Sequence, residues 1–412
     1  MQQVVQLDEN EYDLFEKKAQ LGTYMQTVEQ AHELKARGVQ TAYLGLKNDD
    51  NQLIAGALVS WRKLRLGSAF EVVGGPLMDY DNEQVVTAMM NGLKQFAHDH
   101  GGLTLHVQPT LAVHELDNDG QVQATQNQTA IQNLKQAGFK HTPTVAGYST
   151  ATLGYEFVKP LTGVSEATVF STYEKDAQYA LKKTQQFGVR LREIDYDELP
   201  LFHQYTSETA QRLNFEDKPL DYYQKTYRAY GDDVKFIFAE IDFDAYIQSQ
   251  TDRIDELTGL LNELDKKIAE KSNKHLKARQ HEYLDQVNQH KKRIHDAEAF
   301  KAEYGNVAVL SGAMFFVEPQ EIGYMFSFTN DQFKKFYAPY MIQDHMIRLA
   351  IKLNIPLYNF YGVSGNFDGS DGVLMFKQGF GGVTRENIGV FDYSVRPVVE
   401  RAYTLIKRLL GK

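Results

Sequence analysis

Apolar residues along this chain fall into short β-like runs, amphipathic helical stretches and one long seam of a different period. Residues 41–47 and 53–60 (TAYLGLK and LIAGALVS) read as a strand pair, followed by Phe70-Glu71-Val72-Val73 and a turn at Gly74-Gly75-Pro76. Helical spacing then runs over about Asn82–His100, opened by Asp81 or Asn82 as cap, and Leu103–Gln108 reads as a further strand. The same order returns later. Val234–Ile241 and Val307–Val317 make a strand pair, Glu321–Phe328 a third strand, Phe333–Leu353 a helix and Leu357–Tyr361 a strand. Strand, strand, strand, helix, strand occurs twice, which predicts two copies of one α+β domain.

The long seam lies between Val234–Ile241 and Val307–Val317. From about Ala245 to Tyr304 there is no proline and a single glycine, Gly259. Ile254, Leu261 and Ile268 are seven apart, with Leu257 and Leu264 between them; after Lys271-Ser272-Asn273-Lys274 the spacing resumes at Leu276, Tyr283, Val287, Ile294 and Ala297. These are a and d positions of two coiled-coil helices folded into an antiparallel hairpin, each about 25 residues and roughly 38 Å long. Without them the flanking strands would form a hairpin, so the arm reads as an insertion at a hairpin tip. The expected division is residues 1–151 with 389–412 as one domain, 152–245 with 304–388 as the second, and 246–303 as the arm.

Charge sharpens this division. The 412 residues carry a formal net charge of −10. The arm segment 251–303 is balanced at eleven acidic and eleven basic side chains, so the excess belongs to the remaining 43 acidic and 33 basic residues. Such a body does not wrap a long duplex, because non-specific nucleic-acid affinity comes from basic side chains. A local groove survives at Lys182, Lys183, Arg190 and Arg192. No run of about 18 apolar residues appears, and Met1–Gln20 lacks the apolar core of a secretory signal. The absence of cysteine excludes disulfides, thiolate nucleophiles and Cys-ligated metals, and fits a reducing, cytoplasmic setting.

No GxGxxG, Walker, GxSxG or HExxH signature is present. His275, His281, His290 and His295 lie on the charged arm and read as solvated, so no metal site is expected. The run Gly379-Phe380-Gly381-Gly382 reads as a mobile turn. Two segments are richer. Tyr358–Gly365 (YNFYGVSG) is a strand entering a Gly/Ser loop, and Met375-Phe376-Lys377-Gln378-Gly379-Phe380-Gly381 follows as an aromatic, strand-like stretch. A lysine within apolar residues is costly unless it meets an anion or a developing negative charge. In the other segment Lys218 and Tyr222 share a face if Leu220–Tyr230 is a helix beginning near Pro219.

In order and spacing these segments resemble the Fem family of aminoacyl-tRNA-dependent peptidyltransferases, which build the interpeptide bridge of peptidoglycan. The resemblance rests on Leu34-Lys35, Gly75-Pro76-Leu77-Met78-Asp79-Tyr80, Gly138-Phe139, Ala210 to Tyr223, Tyr358 to Gly365, Phe376-Lys377 and Ile388-Gly389-Val390-Phe391-Asp392. It covers nearly the whole chain outside the arm. It implies two GNAT-like acyltransferase domains and transfer of Ala, Ser or Gly from aminoacyl-tRNA to the stem-peptide lysine amine. The acceptor would be UDP-MurNAc-pentapeptide or its lipid-linked form, met at the inner face of the membrane, with no cofactor beyond the tRNA co-substrate. Carried over by position, Lys35, Lys218, Tyr222 and Tyr324 would line the precursor site, and Phe376 and Lys377 the reaction centre. Lys182, Lys183, Arg190 and Arg192 would meet the tRNA acceptor end, and the arm could dock a partner. Two departures stand out: Lys218 replaces the family's arginine, losing the planar fork, and Gln108 replaces an acidic residue before Pro109. Two alternatives remain at this level. An acetyl-CoA-dependent N-acyltransferase would carry a Q/RxxGxG turn, which is absent; a non-catalytic adaptor built on the arm leaves the Tyr/Lys segments unexplained.

Overall fold

The computed structural model describes residues 3–148, 154–271 and 273–409. The expected domain boundary at 151/152, Ser272 of the arm's tip and the last three residues of the first domain lie outside them. Sixteen strands are described. In the first half they are β1 (Gln3–Gln6), β2 (Gln40–Lys47), β3 (Leu53–Leu64), β4 (Gly67–Val73), β5 (Gly102–Gln108), β6 (Ala112–Leu116), β7 (Val122–Thr125) and β8 (Lys140–Thr142). In the second half they are β9 (Tyr155–Pro160), β10 (Arg190–Glu193), β11 (Val234–Asp242), β12 (Val307–Val317), β13 (Glu321–Thr329), β14 (Leu357–Val363), β15 (Val383–Asn387) and β16 (Val390–Ser394).

They form two sheets, of order β1-β2-β3-β4-β5-β16-β8 and β10-β11-β12-β13-β14-β9-β15-β6-β7. Each holds one parallel pair, β4 with β5 and β13 with β14, among antiparallel neighbours. That is the repeated α+β pattern. The hairpin β6–β7 leaves the first sheet's stretch of sequence and adds to the edge of the second through β15. Between β15 and β16 the chain passes from one sheet to the other at Ile388-Gly389. Gly389 has φ +88, and a Cβ there would come within 2.2 Å of the Thr142 carbonyl oxygen, so only glycine fits the crossing.

The helix Glu83–Asp99 covers the first sheet with Val85, Val86, Met89, Met90, Leu93 and Ala97, an i, i+3, i+4 stripe. Asn82 caps it by accepting from the N–H groups of Gln84 and Val85, an interaction generally worth about 1 kcal/mol. The predicted helix 333–353 is divided. A 3₁₀ turn, Asp331–Phe336, is followed by the helix Ala338–Lys352, with Tyr337 between them at φ +56 and Pro339 in the first helical turn. Ile342, Met346, Ile347 and Ala350 of that helix enter the second sheet's core.

Two long helices, Phe243–Glu270 and Lys274–Tyr304, project between β11 and β12, which remain paired up to Asp242 and Val307. Cross-contacts Lys301–Asp244, His290–Gln250 and Gln280–Asp265 run in opposite chain directions, so the helices are antiparallel. Leu257, Leu261 and Val287 are buried between them. At 28 and 31 residues, about 42 and 46 Å, they exceed the predicted lengths because their roots are part of the body. Phe243, Tyr246 and Ala297 belong to the second sheet's core. No helix of the described residues is long and apolar enough to cross a membrane.

Candidate active site

The parallel pair of the second sheet is open where that of the first is closed. β4 and β5 stay in register from Ala69 to Val73. β13 and β14 pair only at Glu321–Leu357, Ile322–Tyr358 and Gly323–Asn359, then part. On its other side β14 slips against β9 between Asn359 and Gly362, so Phe360 and Tyr361 stand opposite one residue of β9. This β-bulge takes Phe360 and Tyr361 out of one-to-one pairing with β9.

Lys377 meets two backbone carbonyls here. Its Nζ donates to Gly362 O at 2.7 Å and to Tyr361 O at 3.2 Å, and the residue is only 4% exposed. Burial pushes the ammonium down to about 7, opposed by the negative charges of Asp371 and Glu156. The surrounding stretch is a short helix, Gly372–Gln378, and not a strand. Asp371 caps it by accepting from the N–H groups of Val373 and Leu374, which lets Lys377 point inward while Met375 faces out. Phe376 turns to the aromatic cluster, with Tyr340 and Phe380 rings 4.9 and 5.5 Å away. The Tyr324 ring, just past the parting of β13 and β14, lies 5.9 Å from Lys377 Nζ. Lys377, Phe376 and Tyr324 therefore share one region.

The turn after this helix is tightly packed. A Cβ at Gly381 would meet Thr172 O at 2.5 Å, and one at Gly382 would meet Val158 O at 2.3 Å. A second buried lysine, Lys159 on β9, secures it by donating to Phe380 O and to Thr172 Oγ1, each at 2.8 Å.

Beneath the bulge lies a polar cluster that sequence reasoning missed. Tyr361 Oη donates to Glu321 Oε1 at 2.5 Å, and Asn359 Nδ2 donates to both Glu321 Oε2 (3.0 Å) and Glu156 Oε2 (3.1 Å). Burial pushes both carboxyls up, Glu321 to about 7 with Glu156 adding to the shift. No local motif marks this cluster, whose members come from three strands.

A second group sits where the first domain meets the second. The helix Leu220–Tyr230 begins after Pro219, and Lys218 Nζ lies 5.8 Å from the Tyr222 ring centre, as the spacing predicts. The other cation at this ring is Arg37, at 5.7 Å, held by Glu33 at 3.1 Å. Lys35 is instead over the Tyr43 ring at 5.7 Å, in a group with Glu9. Two helical positions are about 200° apart, so Lys35 and Arg37 face different surroundings. Tyr324 belongs with Lys377 rather than with this group.

Of the basic cluster, Lys182 and Lys183 lie on the helix Lys175–Gln186, over the Phe170 and Tyr179 rings, and Arg190 is exposed on edge strand β10. Arg192 is already engaged: its guanidinium donates to Glu198 at 2.7 and 2.8 Å and to Glu240 at 2.8 Å. Among the described residues no group of three or more His, Asp or Glu is placed to hold a metal ion.

Two mixed sheets of one plan, one opened at its parallel strands above a buried lysine, define a doubled α+β architecture with a single candidate reaction centre among the described residues. The FemAB family model matches residues 7–408, and the chain belongs to that family. Two proteins named aminoacyltransferase FemA, from Staphylococcus aureus strains bovine RF122 / ET3-1 and N315, are each 29% identical over 411 residues, 98% of either chain. The crystal structure of FemX matches with a TM-score of 0.80 at 20% identity, covering 97% of this chain and 100% of that one, a likeness of fold. The chain is thus an aminoacyltransferase.

Proposed function

We propose that this chain transfers an amino acid, Ala, Ser or Gly, from aminoacyl-tRNA to the side-chain amine of the stem-peptide lysine of a peptidoglycan precursor. The acceptor is UDP-MurNAc-pentapeptide or its lipid-linked form, used at the cytoplasmic face of the membrane. The buried Lys377 at the parted strands carries the reading. An aminoacyl ester is already activated, so the acceptor amine attacks its carbonyl directly. The C–N bond forms, the ester C–O bond breaks, the terminal hydroxyl of the tRNA leaves, and the amine gives up a proton. The protein must supply proximity and charge stabilisation, and no covalent enzyme intermediate or cofactor is needed.

Lys377 donates to the tetrahedral oxyanion in this scheme. A buried ammonium attracts such a charge far more strongly than a hydrated one, and the oxyanion in turn favours its protonated form. Phe376 and Tyr324 bound the same space. Lys218 and Tyr222, with Arg37 added, offer cations and a ring face to the nucleotide-sugar part, while Lys35 lies on an adjoining surface. Lys182, Lys183 and Arg190 contact phosphates of the acceptor end; Arg192 would first have to leave two carboxylates. Incubation with tRNAs charged with Ala, Ser or Gly and a lysine-containing muropeptide precursor, followed by mass measurement of the product, tests the scheme. One residue mass added to the precursor is expected; an unchanged precursor with every tRNA overturns it.

A further inference from the structure

We infer that Tyr361, held by Glu321 and Asn359, is the positioning residue of Lys377, an inference that rests on the catalytic reading of that lysine. The bulge in β14 requires Tyr361 to adopt φ +54, a left-handed conformation that a large aromatic residue rarely takes without support. Support comes from both ends of the residue. Its backbone N–H donates to Asn359 Oδ1 at 2.7 Å, and its hydroxyl donates to Glu321 Oε1 at 2.5 Å. Asn359 uses its amide nitrogen to hold Glu321 and Glu156 together.

With Tyr361 so fixed, its own carbonyl and that of Gly362 both reach Lys377 Nζ. These are the two hydrogen bonds that place the ammonium at the mouth of the parted strands. The Tyr361 ring lies over Gly323, where a Cβ would come within 2.6 Å of it. Gly323 is the last β13 residue paired with β14, so the same side chain wedges the strands where they part. On its outer side Tyr24 of the first domain approaches the Tyr361 ring edge-on at 5.9 Å, while stacking on Phe316 at 4.3 Å. Two buried carboxyls are expensive in a sheet core. Packing alone gives no reason for them, whereas holding a strained tyrosine beneath a lysine does. The hydroxyl of Tyr361 is committed to Glu321, so the residue acts through Lys377 and not on substrate.

The test compares wild type, Tyr361→Phe, Lys377→Met and the double variant, with aminoacyl-tRNA and muropeptide precursor as substrates. Tyr361→Phe is expected to lower kcat at least about 10-fold, with KM for both substrates within about twofold of wild type. Added to Lys377→Met it should cost nothing further, because both act through one ammonium. An unimpaired Tyr361→Phe beside an impaired Lys377→Met overturns the inference alone. So does a double variant that loses activity by the product of the two single factors. A fully active Lys377→Met removes the catalytic reading and the inference with it. Should Tyr361→Phe fail to fold, Glu321→Gln, which still offers an oxygen to Tyr361 Oη, is compared with Glu321→Leu, which does not. Retention of kcat by Gln and its loss in Leu at unchanged KM supports the inference; equal kcat in the two overturns it.

Discussion

Lys377 shows how far a single residue can be read before its surroundings are known. A lysine flanked by Phe376 and Phe380 announces an unusual cation, and its burial agrees with that. The partners that give it a role, Tyr361 and Gly362, lie outside any local pattern. Lys35 and Arg37 illustrate the opposite case, where a motif match names one position and helical phase selects another. Removing an oxyanion donor typically costs about 10²–10³ in rate, or roughly 2.7–4 kcal/mol. Lys377→Met is therefore expected to lose that much kcat while precursor binding is kept. Titration calorimetry with the precursor, beside a single-turnover transfer assay, checks both halves; near-wild-type turnover would refute the oxyanion role.

Among elements, the helical arm was the most legible, since a seven-residue apolar spacing over many turns has few other readings. The helix Gly372–Gln378 was not, because seven residues hold too few periods to separate helix from strand and its aromatic content favours the latter. The hairpin β6–β7 is illegible for another reason: its place depends on pairing with β15, some 270 residues away. The helix Lys175–Gln186 and edge strand β10 together present Lys182, Lys183 and Arg190. Their conversion to Glu should weaken tRNA use and flatten its salt dependence together, because each lost phosphate contact removes released counterions. Binding measured across a series of salt concentrations reads this directly, and an unchanged slope would exclude the phosphate role.

At the scale of the molecule, the two domains are joined by more than covalent crossings. Gln320, in the turn between β12 and β13, donates to the Glu16 and Ala19 carbonyls at 2.9 Å. Tyr230 donates to Tyr24 O at 3.0 Å and Gln30 Oε1 at 2.7 Å. At the same junction Glu16, 1% exposed, has no hydrogen-bond partner among the described residues on either carboxyl oxygen, and Glu318 lacks one there on Oε1. Burial pushes Glu16 from the ordinary value of 4.5 up to about 8, helped by Glu29, Asp13 and Asp233 and opposed by Lys17; Glu318 is raised well above the usual range, with Glu16 among its acidic neighbours. A folded state that holds a proton the unfolded chain has released loses stability as pH rises. For Glu16 this loss runs from about pH 4.5 to about pH 8 and is complete above, on the order of 3–5 kcal/mol. Glu16→Gln should then melt higher than wild type at pH 8.5 and close to it at pH 5. Thermal denaturation at the two pH values decides, and an equal offset at both would count against a buried proton.

The crossing at Gly389 also governs when the protein can become whole during synthesis. In the first sheet β16 lies between β5 and β8, and in the second β15 lies between β9 and β6. Until residues 383–394 leave the ribosome, each sheet exists as two pieces with an unfilled slot between them. Both slots are filled by one short stretch of chain, so the two sheets are completed together. A chain stopped just before Val383 would lack an interior strand of both sheets at once.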